Sequence, residues 1–252
     1  MKVLFNGEIV DITDAPCNEA GWLLGTGVFE TIKTVNSKPY ALGRHLQRAV
    51  ISAQILGMPF PNQDSIESSV MVLINSQPHI DGLLRISFDV NGQWSAIHLP
   101  YQPLTTSAKI RTHPDTLISH GARIKSYPYN HRLSILGEAR LLGFDEAIVS
   151  NTEGNICEGA VSNVMAQIDG HWVTPPTSDG VLPGIMRELI IENCGIGVAS
   201  IPVTRIGEIT SAFLLSSLRI AQPIASIDGR QLQLSHAFHE EIHAMAIRNS
   251  VG

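Results

Sequence analysis

The sequence predicts a mixed α+β fold in two domains, which span residues 1–104 and 105–252. Three observations support this prediction: turn dipeptides between short apolar runs, helical periodicity between those runs, and one stretch with the composition of a linker. That stretch is PYQPLTTS, from Pro100 to Ser107. With 252 residues, of which 44% are hydrophobic, the chain is long enough to bury a core in one large domain or two smaller ones.

Four turn dipeptides predict β-hairpins in both domains. Each joins Asn or Asp to Gly between apolar or β-branched runs, and these residue types tolerate the positive φ that a two-residue hairpin turn requires. The four are Asn6-Gly7, Asn91-Gly92, Asp169-Gly170 and Asp228-Gly229. We therefore expect antiparallel strand pairs in each domain.

Helical periodicity predicts five helices, because apolar residues recur every three to four positions in the intervening segments. The predicted helices are RHLQRAVISAQILG ending at Gly57, a segment with the face Ile66, Val70, Leu73 and Ile74, residues 132–142, a segment with Pro183 in its first turn and Gly195 as its stop, and residues 235–249.

Composition excludes several classes of protein. The net charge is −6 and no basic stripe is present, so we expect no nucleic-acid partner. No uncharged apolar run approaches ~18 residues, so we expect no membrane span. The start, MKVLFNGEIVDITD, meets a turn and acidic residues too early for a secretory signal. The three cysteines are scattered without metal-ligand spacing, which predicts reduced thiols, no metal site and a cytoplasmic location.

Lys125 is the first candidate for chemistry. It lies in ARIKSYPYN, directly before the third predicted helix, and we expect Tyr127, Pro128 and Tyr129 to shield its amine. A desolvated amine has a lowered pKa and becomes a nucleophile toward an aldehyde. The alternative is an ordinary solvated lysine in a loop.

Glu158 is the second candidate. It lies in FDEAIVSNTEGNICEGAVSNV, a stretch that otherwise reads as buried strand. A carboxylate there is costly unless a positive group meets it, such as the protonated ring nitrogen of a pyridine cofactor. The alternative is a glutamate at a strand edge that faces water.

A candidate phosphate site is the stretch GVLPGIM, from Gly180 to Met186. Glycine and proline at a helix start leave backbone N–H groups accessible, and a helix N-terminus favours an anion. Arg48 and the pair Ser216-Ser217 are further possible donors. Each feature also has an explanation that needs no ligand: an ordinary helix start, an exposed arginine on a helix, and a pair of serines at the end of a strand.

The order and spacing of these pieces resemble the class IV aminotransferases, the fold-type-IV enzymes that use pyridoxal 5′-phosphate (PLP). The resemblance extends over nearly the whole chain, through FNGEIV, GTGVFETIK, HLQRAVISAQILG, LLRISF, KSYPYN, LGEARLLGFDEAI, EGNICEGAVSNV, TPPTSDGVLPGIMRE and FLLSSLRIAQPIASIDG. It implies a small N-terminal and a larger C-terminal α+β domain, with PLP in the cleft between them. It also implies a homodimer.

The resemblance assigns roles to individual residues. Lys125 matches the lysine that holds PLP as a Schiff base and moves the substrate proton. Glu158 matches the glutamate that pairs with the pyridine nitrogen, so its expected positive partner is the cofactor and not a side chain. The residues that match the phosphate cup are Arg48, the backbone of Gly184, Ile185 and Met186, and Ser217 beside Ser216. Branched-chain enzymes have threonine where this chain has Met186.

The reaction is predicted from a few further residues. Tyr129 aligns with the tyrosine of branched-chain enzymes near the cofactor hydroxyl, and the KxxNR of enterobacterial lyases is missing here. Thr31, in GTGVFETIK, is closer to the lyase pattern. Arg85 aligns with an arginine near the substrate carboxylate of branched-chain enzymes, although Leu83 replaces their accompanying tyrosine, and Arg219 is a second candidate for carboxylate recognition.

These residues favour a transaminase that transfers an amino group between an amino acid or amine and a 2-oxo acid. The alternative is 4-amino-4-deoxychorismate lyase, which forms 4-aminobenzoate and pyruvate.

Overall fold

The computed structural model describes residues 1–117 and 123–249. These residues form two compact units. The first unit comprises Met1–Pro103, Ile124–Pro128 and Asn249, and the second comprises residues 104–117, Arg123 and Tyr129–Arg248. The predicted α+β class is confirmed, whereas the boundary at residue 104 stays a prediction.

The described residues contain seventeen strands and five α-helices. The strands are β1 Lys2–Phe5, β2 Glu8–Asp11, β3 Gly27–Val35, β4 Lys38–Pro39, β5 Asp81–Asp89, β6 Trp94–Pro100, β7 Ala108–Leu117, β8 Ser126–Tyr127, β9 Glu146–Asn151, β10 Asn155–Gly159, β11 Asn163–Ile168, β12 His171–Thr174, β13 Gly197–Val198, β14 Ile201–Pro202, β15 Ser211–Ser216, β16 Ile220–Ile227 and β17 Arg230–Gln231. The helices are α1 Leu42–Ile55, α2 Gln63–Ser76, α3 Asn130–Leu141, α4 Ile185–Asn193 and α5 His236–Arg248. None of the described helices combines the length and apolar character that crossing a bilayer requires.

The first unit is an antiparallel sheet covered by α1 and α2. Its strand order is β2-β1-β6-β5-β3-β4, and β8 pairs with β3. Helix α1 packs on β3, and α2 packs on β1 and β6. Buried residues of the helices and sheet, among them Leu46, Ile66 and Phe88, form its core.

The second unit is a larger mixed sheet with α3, α4 and α5. Its strand order is β13-β12-β11-β15-β16-β7-β9-β10-β14, and β17 pairs with β16. Most neighbours are antiparallel, while β7 runs parallel to both β9 and β16, and β12 runs parallel to β13. Helix α3 packs on β9 and β7, α4 packs on β15, and α5 packs on β16.

The four predicted hairpins are confirmed, with one change. Asn6, Asp169 and Asp228 have φ between 48° and 52° and are each followed by a glycine with positive φ. The hairpin at Asn91-Gly92 has a longer loop than the predicted two residues, since β5 ends at Asp89 and β6 begins at Trp94. The Asp89 carboxylate stabilises this longer loop by accepting hydrogen bonds from the backbone N–H groups of residues 91 and 93, at 2.9 and 2.7 Å.

The start of α4 differs from the prediction. Pro183 does not lie in its first turn, because the helix begins at Ile185 with Gly184 as an extended N-cap. A Cβ on Gly184 would lie 1.8 Å from Oδ1 of Asn163, so this glycine is packed against a side chain of β11. This close approach leaves no room for a side chain at position 184. Helix α3 also begins earlier than predicted, at Asn130.

Candidate active site

Strand β3 positions Lys125 in the first unit. Ser126 and Tyr127 of β8 pair with Val28 and Gly27, and the backbone N–H of Phe29 donates to the Lys125 carbonyl at 3.0 Å. The lysine Nζ lies 4.5 Å from the centroid of the Phe29 ring. The Phe29 ring thus lies against the amine, and the shielding by residues 127–129 that the sequence predicts stays a prediction. This contact favours a partly desolvated cation on the ring face.

The next residue of β3, Glu30, holds the predicted phosphate ligand Arg48. Glu30 is 1% exposed and accepts hydrogen bonds from Arg48 Nε at 2.8 Å and Arg48 NH2 at 2.6 Å. The second oxygen also meets His45 Nδ1 at 2.6 Å. Burial acts to raise the pKa of Glu30, but Arg48 and His45 lower it to about 2. The carboxylate therefore fixes the plane of the Arg48 guanidinium.

His45 connects this network electrostatically to the candidate catalytic amine. Burial is the main cause that lowers the pKa of His45, Glu30 opposes it, and the positive charges of Arg48 and Lys125 act in the same direction as burial. Lys125 and Arg48 both belong to the first unit and both act on His45, and their joint role in one cofactor site stays a prediction.

The two candidate substrate residues of the first unit, Thr31 and Arg85, lie directly opposite each other on β3 and β5. Arg85 donates to the Ala20 carbonyl at 2.9 Å, and its guanidinium carbon lies 5.0 Å from the centroid of the Trp22 ring. Burial lowers the pKa of Arg85 to about 10. Trp22 also packs on Phe29 at 4.5 Å between centroids, so Arg85 and Lys125 contact the same aromatic pair.

Glu158 lies in the second unit, on β10, and is 3% exposed. Its Oε1 accepts hydrogen bonds from Arg123 and Arg132. Its Oε2 accepts from Asn163 Nδ2 and from the Leu182 backbone N–H, each at 3.0 Å. The expectation that no side chain would supply the positive partner is therefore wrong: two guanidinium groups reach it through tertiary contacts. The pairing with a pyridine nitrogen stays a prediction.

Tyr129 lies beside the same charges. It is the N-cap residue of α3, and burial together with the charge of Glu158 raises its pKa to about 12, against the opposing effect of Arg123. Its hydroxyl is therefore protonated at neutral pH. The predicted position near the cofactor hydroxyl stays a prediction.

The candidate phosphate loop is held next to Glu158 by Asn163. Gly184 offers no side-chain cap to the start of α4, where Ile185 and Met186 follow. Asn163 donates both to Glu158 and to the Leu182 carbonyl, each at 3.0 Å. A buried carboxylate beside an uncapped helix start suits a ligand with one cationic and one anionic end. The donor set of this unit therefore fits PLP.

Ser216, Ser217 and Arg219 follow one another at the turn between β15 and β16. The Arg219 backbone N–H donates to Ser216 Oγ at 3.2 Å. The Arg219 guanidinium is directed to Glu146, with NH1 and Oε2 2.5 Å apart. A substrate role for Arg219 stays a prediction, and its charge already has a buried partner in Glu146.

Sequence reasoning missed six charged or amide residues of these networks: Glu30, His45, Arg123, Arg132, Glu146 and Asn163. A signal existed for Glu30, which is a charged residue inside the apolar strand GVFETIKTV. The two arginines carried no such signal, because they lie 35 and 26 residues from Glu158 in sequence.

Comparison with known proteins identifies the class that this fold and these residues define. The family model for amino-transferase class IV matches residues 27–227, and the chain belongs to this family. It is 25% identical to the D-alanine aminotransferase of Bacillus licheniformis, over 92% of this chain and 90% of that protein. It is 27% identical to the branched-chain-amino-acid aminotransferase of Salmonella typhimurium, over 91% of this chain and 86% of the relative.

The fold is shared with solved structures. A Legionella pneumophila protein provisionally assigned as a 4-amino-4-deoxychorismate lyase superposes with a TM-score of 0.82 at 22% identity, covering 90% of this chain and 92% of its own. The predicted family and fold type IV are confirmed. Because class IV aminotransferases depend on PLP, PLP is the cofactor of this enzyme, as predicted. The placement of PLP in a cleft, and the roles of single residues, stay predictions.

Proposed function

We propose that this enzyme is a transaminase, which transfers an amino group between an amino acid or amine and a 2-oxo acid. The observation that carries the proposal is the buried carboxylate of Glu158, whose two oxygens accept hydrogen bonds from four groups of the chain. These donors keep the carboxylate ionised, which is the state that pairing with a protonated pyridine nitrogen requires. Similarity to curated aminotransferases over about nine tenths of the chain supports the same reaction.

Lys125 is the proposed catalytic residue. When bound, PLP supplies an electron-poor ring that stabilises negative charge at the substrate α-carbon. Lys125 would hold the cofactor and, once the substrate amine has displaced it, would take the proton from the substrate α-carbon and deliver it to the cofactor carbon to which the lysine had been bonded. The Phe29 ring, 4.5 Å from Nζ, keeps water from one side of the amine.

Glu158 and the loop before α4 are the proposed cofactor holders of the second unit. Glu158 would face the ring nitrogen of bound PLP and keep it protonated, and Tyr129 would lie beside the ring hydroxyl. The backbone of Gly184, Ile185 and Met186 would receive the phosphate, as a helix N-terminus favours an anion. Ser216 and Ser217, together with Arg48 as oriented by Glu30, are the remaining proposed phosphate donors.

Arg85 and Thr31 are the proposed substrate residues. Arg85 is buried enough to have a pKa near 10 yet remains a cation at neutral pH, which suits a substrate carboxylate. Its Nε has no hydrogen-bond partner among the described residues. Since Thr31 lies opposite Arg85 in the strand pair, both side chains serve one end of the substrate.

The second candidate is aminodeoxychorismate lyase. The sequence GTGVFETIK around Thr31 favours it, because this stretch is closer to the lyase pattern. For either reaction, a homodimer in the cytoplasm remains part of the proposal.

The test is a spectral titration of the purified protein with PLP. We expect a visible absorption band that disappears on addition of at least one member of a panel of L- and D-amino acids and returns with a 2-oxo acid. A band that responds to none of them, with pyruvate released from aminodeoxychorismate, would establish the lyase instead. A protein without any band after addition of PLP would refute both reactions.

A further inference from the structure

A buried ion pair in the second unit contacts the turn that joins two residues of the proposed cofactor site. Arg219 NH1 is 2.5 Å from Glu146 Oε2, and the two side chains are 10% and 0% exposed. A fully buried carboxylate needs a cation of this kind, because desolvation of an unpaired charge is costly. Arg219 thus supplies a positive charge to the buried Glu146 carboxylate, although NH1 and Oε2 meet as an ion pair and not with the geometry of a hydrogen bond.

The other oxygen of Glu146 holds the turn between β10 and β11. Oε1 accepts hydrogen bonds from the Val161 backbone N–H and from Ser162 Oγ, both at 2.8 Å. The turn is closed by the Gly159 N–H, which donates to the Ser162 carbonyl at 2.7 Å. A Cβ on Gly159 would lie 2.5 Å from both Glu146 Oε1 and Ser162 Oγ, so the carboxylate fills the inside of the turn.

Glu158 and the residue that donates to it, Asn163, lie at the two ends of this turn. Glu158 immediately precedes it and Asn163 immediately follows it. Asn163 Nδ2 donates hydrogen bonds to Glu158 and to the Leu182 carbonyl, and the Leu182 N–H donates to Glu158. Each of these hydrogen bonds is 3.0 Å long. A shift of the turn would therefore displace Glu158 and loosen the loop that leads to Gly184.

We propose that Arg219 is a positioning residue: through Glu146 and the turn Gly159–Ser162 it holds Glu158 and Asn163 in place, and it does not contact the substrate carboxylate. This inference rests on the proposed role of Glu158 toward PLP. It replaces the substrate role that the sequence suggests for Arg219. It also explains why the arginine is directed toward a buried acid.

The experiment is a double-mutant cycle with Arg219→Met, Glu146→Gln and the double variant, each assayed with PLP. The measurements are PLP affinity of the apoprotein, the pH dependence of the bound cofactor's absorption, and KM for the acid substrates. Arg205→Met is the matched control, because Arg205 lies in the same unit and pairs with Asp169 and Glu208 at the surface.

We expect each single variant to lose PLP affinity by about 10-fold and to shift the pH dependence of the absorption, since networks of this kind couple their members. The double variant should lose less than the sum of the two, Arg219→Lys should recover most of the affinity, and KM should change less than about twofold. If Arg219→Met does not fold, the same measurements on the near-isosteric Glu146→Gln still test the inference.

Unchanged PLP affinity and absorption with a raised KM in Arg219→Met would overturn the inference and restore the substrate role. Strictly additive losses in the double variant would also overturn it, as would wild-type cofactor behaviour of Glu146→Gln. Failure of the wild type and of Arg205→Met to bind PLP would instead refute the proposed function itself.

Discussion

Replacing Glu30 by glutamine removes one buried charge from the first unit while keeping the shape of the side chain. Glu30 accepts two hydrogen bonds from Arg48, at 2.8 and 2.6 Å, and meets His45 at 2.6 Å. The variant takes the Glu30 carboxylate away from Arg48, a residue that is only 9% exposed. We therefore expect both lower stability and a poorly oriented phosphate ligand.

The magnitude follows from the pKa of Glu30, which lies at about 2 against an ordinary value of 4.5. This difference corresponds to about 3 kcal/mol at neutral pH, at about 1.36 kcal/mol per pH unit. Because the folded pKa is the lower one, the contribution is present above pH 4.5 and is lost as the pH falls toward 2. About half of it remains at pH 3.

The assay is urea unfolding of wild type and Glu30→Gln, followed by tryptophan fluorescence at several pH values between 7 and 3. The wild type should exceed the variant by about 3 kcal/mol at pH 7, and by about half of that at pH 3. Glu8→Gln, which removes an exposed glutamate from β2, serves as the control and should change little. A difference at pH 7 below about 1 kcal/mol, or one independent of pH, would refute the reasoning.

Three further substitutions test the proposed site. Lys125→Ala should abolish turnover and the visible cofactor band while the far-ultraviolet circular dichroism stays that of wild type; a normal catalytic rate would contradict the assignment. Glu158→Gln should retain PLP but slow α-proton abstraction severely in single-turnover measurements, and an unchanged half-reaction would exclude the proposed role. Gly184→Ala should weaken PLP binding and lower the melting temperature, because its Cβ would lie 1.8 Å from Asn163 Oδ1. Gly137→Ala, where the added Cβ meets no atom within 4 Å, is its control, and equal behaviour of the two would count against the packing argument.

The local parts of the fold could be predicted because local chemistry determines them. Asn6-Gly7 adopts positive φ at both residues, whichever strands it joins. The start of α4 could not be predicted in this way, since the close approach of Gly184 to Asn163 of another element is not visible in the local sequence. The four-residue hairpin loop after Asp89 likewise depends on a side chain that caps it.

The residues of the candidate site also divide into those that the sequence predicts and those that depend on tertiary contacts. Lys125 and Glu158 could be predicted because their order and spacing carry the family resemblance. The partners of Glu158 could not, since Arg123 and Arg132 lie 35 and 26 residues from it in sequence and reach it only in the folded unit. The environment of Arg219 is also a tertiary property, because Glu146 lies on β9 and Arg219 follows β15.

The most direct measurement is peptide mapping by mass spectrometry after reduction of the PLP-loaded protein with sodium borohydride, which fixes the cofactor on the amine that binds it. The chain has lysines at positions 2, 33, 38, 109 and 125, so the label has five possible places. We predict that the label appears on Lys125 in a stoichiometric amount. A label on any of the other four lysines, or a protein that remains unlabelled, would contradict the assignment of Lys125 as the cofactor-binding and catalytic residue.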